Sequence, residues 1–552
     1  MSLGNRYSQH SFAQIPSVNI GRSKFDRSYT VKDTFDFDYL VPFYVDEILP
    51  GDTFNVNVNV FARLATQLVP IMDNMYVDYF FFFVPNRLTF SNWEKLNGAQ
   101  DTPGDSTDII LPALTTTGTQ FEVGTIYDKF GLPTDVTAIA LKNTLPLRAY
   151  NLIWNEWFRD QNLQDPVIEN TDNGPDAMTD YALLKRGKRH DYFTSALPFL
   201  QKAVAVELPL GTSAPIIAAS NINVVSNSQV PLLSGAAGSN QKFVTKTAFS
   251  DAVGTINGVA AGNNQDMWWG TETGMVVDAT DAEAQLSADL SSATAATINS
   301  LRQAFQMQSL FELDARGGTR YVEILKNHFG VVSPDFRLQR PEFLGGGESK
   351  INVHPVAQTS PTSGGDPQAQ LAAFSTTSAT GSSIGFTKSF VEHGYVIGMA
   401  CARCDLTYQQ GLNRMWNRST RYDFFWPKLQ ELGEQSILNK EIYAQGVGVV
   451  TPGLTDEDVF GYQERYAEYK YKPSEIHGEF RSTYATSLDF WHLSEEFSSL
   501  PALNDVFIVQ NSPIDRAIAI STEPHLLFDA WIQQKCARPM MAYSVPASLG
   551  RF

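Results

Sequence analysis

The sequence predicts a mainly β protein, an antiparallel sandwich of the Greek-key or jelly-roll kind with large loop insertions and a few helices. Three observations predict it. Phe54, Val56, Val58 and Val60 alternate with Asn55, Asn57 and Asn59, the period of two of a strand with one buried and one amide-rich face. Met75 to Val84 is a different kind of strand. Tyr76, Tyr79 and the run Phe80 to Val84 leave Asp78 as its one strongly polar residue, so both faces should be covered. Third, strand patterns stand at both ends of the 552 residues, with helices and a long insertion between them, so strands distant in sequence must pair.

Taken in order, the chain opens on a polar arm, residues 1–32, without helical period. Thr34 to Val45 sets Phe35, Phe37 and Tyr39 against Asp36 and Asp38 and reads as one strand ended by Pro42. Pro50-Gly51 signals a turn before the Phe54 strand. Ala62 to Leu68 reads as a helical turn or a longer crossing, and Pro70 with Met72-Asp73-Asn74 supplies the turn into Met75 to Val84. Asn97 to Ala138 is loop. In Leu147 to Arg159 the period changes: Leu147, Tyr150, Trp154, Trp157 and Phe158 form the apolar stripe of an amphipathic helix, with Pro146 just before it. Residues 33–210 are thus the first part of the sandwich, with long loops and one helix.

Residues 211–300 are built largely from Ala, Gly, Ser, Thr, Asn and Val and read as a surface insertion with short strands of its own. Its one aromatic pair, Trp268-Trp269, is either a binding anchor or a small local core. The remainder, 301–552, returns to the sandwich. Helices are expected over Ser292 to Leu313 and Thr319 to Phe329, the second with Thr319 as N-cap and Gly330 as stop. Pro355 to Gly385 reads as loop, and Tyr395 to Tyr408 as one extended strand. Leu412 to Leu432 is aromatic and Pro-interrupted. Two last strands are expected, Ala517 to Ile520 and one around Leu526, before a C-terminal arm.

Composition narrows the function. Charged residues are 18% of the chain, against a usual ~25%, and aromatics are 12%, which points to surface buried against other copies. The net charge is −18, so the whole chain is no electrostatic magnet for nucleic acid. Both ends are nevertheless basic: Met1 to Phe25 carries Arg6, Arg22 and Lys24 without an acid, and the stretch after Asp529 carries Lys535, Arg538 and Arg551 without one. Lys185, Arg186, Lys188 and Arg189 form a further cluster that either touches phosphate or is a solvated turn.

No apolar run approaches the ~20 residues of a membrane span, and Met1 to Ile20 lacks a signal-peptide core. Three cysteines, Cys401, Cys404 and Cys536, cannot form a disulfide framework. Cys401 and Cys404 have the C-x-x-C form, but on a strand that spacing sends the side chains to opposite faces. Gly345-Gly346-Gly347 lacks the order of a phosphate loop and reads as a plain turn. No catalytic or metal-ligating pattern is present, and no cofactor is expected.

Several long motifs together carry a resemblance. They are MDNMYVDYFFFFVPNRL (Met72 to Leu88), LPLRAYNLIWNEWFRDQNLQDPV (Leu145 to Val167), RGGTRYVEILKNHFGVVSPDFRLQRPEFLGGG (Arg316 to Gly347), WPKLQELGEQ (Trp426 to Gln435) and GYQERYAEYKYKPSEIHGEFRS with LDFWHL (Gly461 to Leu493). The chain resembles the major capsid proteins of gokushoviruses, small tailless bacteriophages of the Microviridae, from its N-terminal arm to its last residues.

The resemblance implies an eight-stranded jelly roll whose copies form pentamers and a T=1 icosahedral shell around circular single-stranded DNA. It also implies synthesis in the host bacterial cytoplasm and a variable insertion that rises at the three-fold axes to meet a host-surface receptor. On that reading Arg6, Arg22, Lys24, Arg27, Lys535, Arg538 and Arg551 face the genome, and Trp268 and Trp269 face the host. So few bases leave most DNA neutralisation to a separate small basic protein. The rival readings are a carbohydrate-binding or carbohydrate-cleaving sandwich, which needs two carboxylates at a shared groove, and a phage receptor-binding spike without shell duty.

Overall fold

The computed structural model describes residues 21–103, 108–115, 120–204, 216–218, 224–226, 275–277, 286–288, 298–316, 321–330, 339–357, 359, 371–380, 384–449 and 453–543. Its chain divides into two compact units, residues 1–202 with 312–552, and residues 203–311. In the smaller unit, Ile216–Ala218 pairs antiparallel with Leu286–Ala288, and Val224–Ser226 with Met275–Val277.

The larger unit is built on one curled antiparallel sheet. Its strands are β1 (Ser23–Asp26), β2 (Tyr29–Phe35), β3 (Val41–Ile48), β4 (Thr53–Leu64), β5 (Met75–Pro85), β6 (Glu342–Ala357), β7 (Leu371–Ala379), β8 (Gly385–Ser389), β9 (Gly394–Cys404) and β10 (Leu526–Arg538). The C-terminal β10 lies against β4 along its whole length, from Leu526 opposite Leu64 to Ala537 opposite Thr53. β1 and β2 share the other edge of β10, and β7 and β8 share the other edge of β4. From β7 the order continues through β6, β5 and β9 to β3. Ten strands therefore fill eight positions, the jelly-roll sandwich that the pattern of strands predicted.

β6 turns the corner between the two layers. Its first part, Glu342 to Ile351, pairs with β5, and Asn352 to Ala357 pair with β7. Gly345 and Gly346 make the turn possible at a bulge after Phe343. A Cβ on Gly346 would stand 2.2 Å from the Tyr79 carbonyl oxygen, and one on Gly345 2.5 Å from that of Gly385. These glycines are not the plain turn read from the sequence. They lie within a strand, where the missing side chain lets backbone approach backbone.

The two layers close on one core. Phe528 of β10 meets Phe43 of β3 at 5.7 Å, and Phe43 meets Phe81 of β5 edge-on at 5.8 Å. Alternate residues decide which side of β5 and β9 goes where. Val77, Tyr79 and Phe81 join this core, while Phe82 and Val84 join a second cluster with Ile397, Met399 and Cys401 of β9. Helix α1 (Leu145–Ile153) covers that second face with Leu147, Tyr150 and Ile153, and Trp154 follows at the head of a π turn. Cys401 and Cys404 fall in different clusters, on opposite faces as the spacing required.

Elsewhere the segmentation differs from the sequence reading. Thr34 to Val45 is two strands, broken where Asp38 takes a left-handed turn at φ 73°. Pro42 sits inside β3, the last strand in the order, at the point where its pairing with β9 shifts register. Ala62 to Leu64 continues β4 rather than starting a helix. Part of the expected Pro355 to Gly385 loop is β7, whose inward Ser375 accepts a hydrogen bond from Gln67 at 2.7 Å. A small hydroxyl residue can hold a core position only with such a partner. Ala517 to Ile520 is no strand, and β10 is longer than expected. Its Gln534 keeps an inward place because its amide donates to the Asp46 carboxylate.

Candidate nucleic-acid interface

Among the described residues, one face of the sandwich is covered and the other is not. The layer of β5, β9 and β3 carries α1 and its loops, whereas the outer side of the layer formed by β2, β1, β10 and β4 is exposed at alternate residues. Directly opposed residues of antiparallel strands share a face. Reading across the ladder therefore gives the composition of this surface without ambiguity.

Trp531 stands between Asn59 of β4 and Thr30 of β2, Phe61 opposite Asp529, Gln533 opposite Asn57, and Lys535 between Asn55 and Asp26. Phe61 is 54% exposed and Trp531 48%. The amides form a line of their own, in which Asn57 donates to Asn55 at 3.1 Å and Asn55 to Thr387 at 3.0 Å. Aromatic faces and amides, with charges of both signs among them, make up a ladder on which unpaired bases can stack.

The two basic ends meet here. β1 and the end of β10 are neighbours, with Ser23 opposite Arg538 and Lys24 opposite Ala537. The structure thus brings together five of the seven terminal bases chosen from the sequence; Arg6 and Arg551 lie outside the described residues, as do Trp268 and Trp269. The five are not equivalent. Arg27 is paired with Asp46 at 2.6 Å. Arg538 reaches Asp52 at 3.2 Å and the Glu47 carbonyl at 2.6 Å, and lies over the Phe54 ring. Those two cations already have carboxylates.

Among the described residues, Arg22 holds only neutral acceptors, the Thr53 hydroxyl at 2.6 Å and the Ala537 carbonyl at 3.3 Å. Lys24 and Lys535 are exposed on the ladder, as is Arg63, which reasoning from the chain ends missed. Its signal was the β4 alternation, which already set Arg63 on the Asn side of the strand.

The Leu183 to His190 cluster serves another purpose. Arg186 pairs with Asp78, the lone acid of β5, which also receives Arg403 at 2.8 Å. Lys188 is buried against Glu495 at 2.5 Å and lies over the Phe507 ring, and Lys185 donates to Asn511 at 3.0 Å. Three of the four bases are struts inside the fold, and only Arg189 is left exposed. Beside them is a cleft of 740 Å³ floored by Phe80, Phe82, Trp157 and Phe158.

Other charges are locked in the same way. Arg148 of α1 bonds both oxygens of Asp176, at 2.9 and 2.5 Å, with Tyr181 and Thr144 completing the carboxylate's partners. Burial pushes the Cys401 thiol up to about 12 and raises Cys404 as well, which keeps both as neutral packing groups. Among the described residues, no set of three His, Cys, Asp or Glu side chains is grouped to hold a metal, and no helix is long and apolar enough to cross a membrane.

The family model described as "Capsid protein (F protein)" of phages matches residues 13–548. The chain belongs to this family of phage capsid proteins. It is 55% identical to the capsid protein VP1 of Bdellovibrio phage phiMH2K, over 100% of both chains. It is 43% identical to capsid protein VP1 of Chlamydia phage 1, over 98% of this chain and 97% of the relative. With capsid protein VP1 of Spiroplasma virus 4 the identity is 34%, over 97% of each. Family membership carries self-assembly into a multimeric shell.

Proposed function

We propose that this is the major capsid protein of a small bacteriophage, and that its copies form pentamers and then a T=1 icosahedral shell around a circular single-stranded DNA genome. The chain is a structural element, not an enzyme. In this reading the open face of β10 and β4 is the genome side of the wall. Lys24, Arg63, Lys535 and Arg22 meet phosphates there, and Trp531 and Phe61 offer rings to unpaired bases. Residues 211–300, with Trp268 and Trp269, form the outward insertion that meets the host-cell receptor, and a separate small basic protein neutralises most of the DNA.

The observation that carries the genome-side assignment is the asymmetry of the sandwich: one layer is sealed by α1, and the other presents a ladder of rings, amides and uncommitted bases. Electron microscopy of the purified full-length chain tests the shell. Closed particles of uniform diameter are expected, and a solitary monomer at all concentrations would overturn the reading. Deleting 211–300 should leave particles that no longer adsorb to the host.

A further inference from the structure

We infer that residues 412–432 form a preassembled subunit–subunit contact whose occupant is a second copy of this chain. The inference rests on the shell reading above and deepens it. The segment is three short 3-10 turns, Arg414–Asn417, Arg421–Asp423 and Pro427–Leu429, joined by extended residues. Trp416 is 72% exposed, Tyr422 60%, Phe424 51% and Trp426 45%. Half-exposed rings of ~200 Å² each put roughly 400–500 Å² of aromatic surface on one short segment, comparable to the largest exposed patch on a typical monomer.

Two arginines each hold a pair of rings. Arg418 lies over Tyr469 at 4.2 Å and over Phe424 at 5.6 Å; Arg421 lies between Tyr422 and Trp426 at 5.4 and 5.2 Å. The backbone is held as well. The Asp423 carboxylate accepts the Ser419 and Thr420 N–H groups at 2.9 and 2.7 Å together with both hydroxyls, and the Trp426 indole donates to the Arg421 carbonyl at 2.8 Å. Those bonds, the Thr420 N–H first, hold the Asp423 carboxyl down at about 2. A surface already fixed in shape gives up little conformational entropy when it docks.

Composition and charge choose the occupant. Leu412 to Trp426 contains two Trp, two Phe, one Tyr, one Met and three Arg, with one acid and no Lys. This is the enrichment of protein–protein contacts, rich in Trp, Tyr and Arg and poor in Lys and Glu. Single-stranded DNA would ask for uncommitted cations. Here Arg414 is paired with Glu441 at 2.8 Å and Arg418 with Glu468 at 3.2 Å. The segment carries four bases, Arg414, Arg418, Arg421 and Lys428, against two acids, Asp423 and Glu431, on a chain of net charge −18. With Arg414 and Arg418 matched by Glu441 and Glu468, the patch is close to neutral, so this aromatic surface meets another copy of an acidic, self-assembling chain without like-charge repulsion.

The test uses the full-length chain in three forms: wild type, W416A/R421E/Y422A, and V391A as a surface control at a residue 85% exposed. Particle formation is followed by sedimentation velocity against protein concentration, with thermal melting to check the fold. The triple variant should melt like wild type and need about tenfold more protein, or greater, for half-assembly; V391A should match wild type on both. A photo-crosslinking residue in place of Trp416 alone gives the decisive second measurement, and it should join two capsid chains on a denaturing gel. Unchanged assembly of the triple variant, or crosslinks only to nucleic acid or within one chain, overturns the inference. A wild-type chain that forms no particle defeats the shell reading instead, so the two failures are distinct.

Discussion

The genome-side assignment makes a quantitative prediction because the structure sorts the bases into two sets. Lys24, Arg63 and Lys535 stand on the open ladder without an ion pair among the described residues, whereas Arg27 and Arg538 are held by Asp46 and Asp52. Each phosphate contact to a single strand contributes ~0.7 to the slope of log affinity against log salt. The variant K24A/R63A/K535A should therefore lower that slope by about 2. The extra weakening of wild type between 50 and 200 mM salt should then be about 20-fold greater than that of the variant. The assay is fluorescence anisotropy of a labelled oligo-dT on unassembled capsid protein at several salt concentrations. R27A/R538A removes nearly as much charge, but cations already neutralised within the fold release few counterions. Its slope should stay at the wild-type value while its melting temperature falls. Trp531→Ala should do the reverse of the triple variant, weakening binding by the ~1–3 kcal/mol of one stacked base with no change in slope. An unchanged slope in the triple variant, or an equal change in R27A/R538A, would refute the reasoning.

Three further predictions concern the fold that carries that face. Burial raises the Asp38 carboxyl from 3.8 to about 6, against the opposing hydrogen bonds from Ser512. A raised carboxyl stabilises the fold below about pH 4 and loses that contribution as pH rises through 6, a change of ~3 kcal/mol. Asp38→Asn should thus gain on wild type by about that amount between pH 4 and pH 8, measured as the difference between two denaturation series; parallel curves would sink the assignment. Arg148→Met leaves Asp176 buried without its cation and should cost ~3–5 kcal/mol, seen as a fall of several degrees in melting temperature, much of it recovered by adding Asp176→Leu. Gly346→Ala drives a Cβ against the Tyr79 carbonyl and should abolish soluble folded protein, while Gly21→Ala, whose Cβ meets nothing within 4 Å, should express normally.

The sandwich was legible because its two key strands advertise their burial. β4 alternates, and it has one wet face; β5 does not, and it has none. What the sequence concealed were strands whose inward residues are not apolar. β7 holds Ser375 and Thr377 inward, and β10 holds Gln534, each a polar residue that hydrophobic periodicity discards. The partners that admit Ser375 and Gln534, Gln67 and Asp46, are hundreds of residues away in the chain. The basic ends were visible as composition. That they are neighbours was not, because only the pairing of β1 with β10 brings residue 24 beside residue 537. Charge alone also could not separate Arg27 from Lys24, since Arg27 finds the Asp46 carboxylate and Lys24 stands opposite Ala537.

That distinction extends to the whole charge distribution. A wall tiled from identical copies must not stick to nucleic acid wherever it carries an arginine, and it must still keep a few cations available on one side. Asp78 between Arg186 and Arg403, Asp176 on Arg148, and Glu495 on Lys188 withdraw cations from the surface on the sealed side of the sandwich. Buried pairs of this kind add little net stability against an apolar replacement, so stability alone does not account for so many of them. They lower the positive charge that the covered layer presents, whereas Lys24 and Arg63 of the open ladder stand outside such pairs among the described residues. Replacing Asp78 with Asn would release Arg186 from its carboxylate, while Arg403 stays buried and paired with Glu348 and Asp405. The expected result is a new DNA-binding component with a steeper salt slope that W531A does not weaken. If DNA binding by Asp78→Asn still depended wholly on Trp531, the silent layer would not need its ion pairs to stay silent.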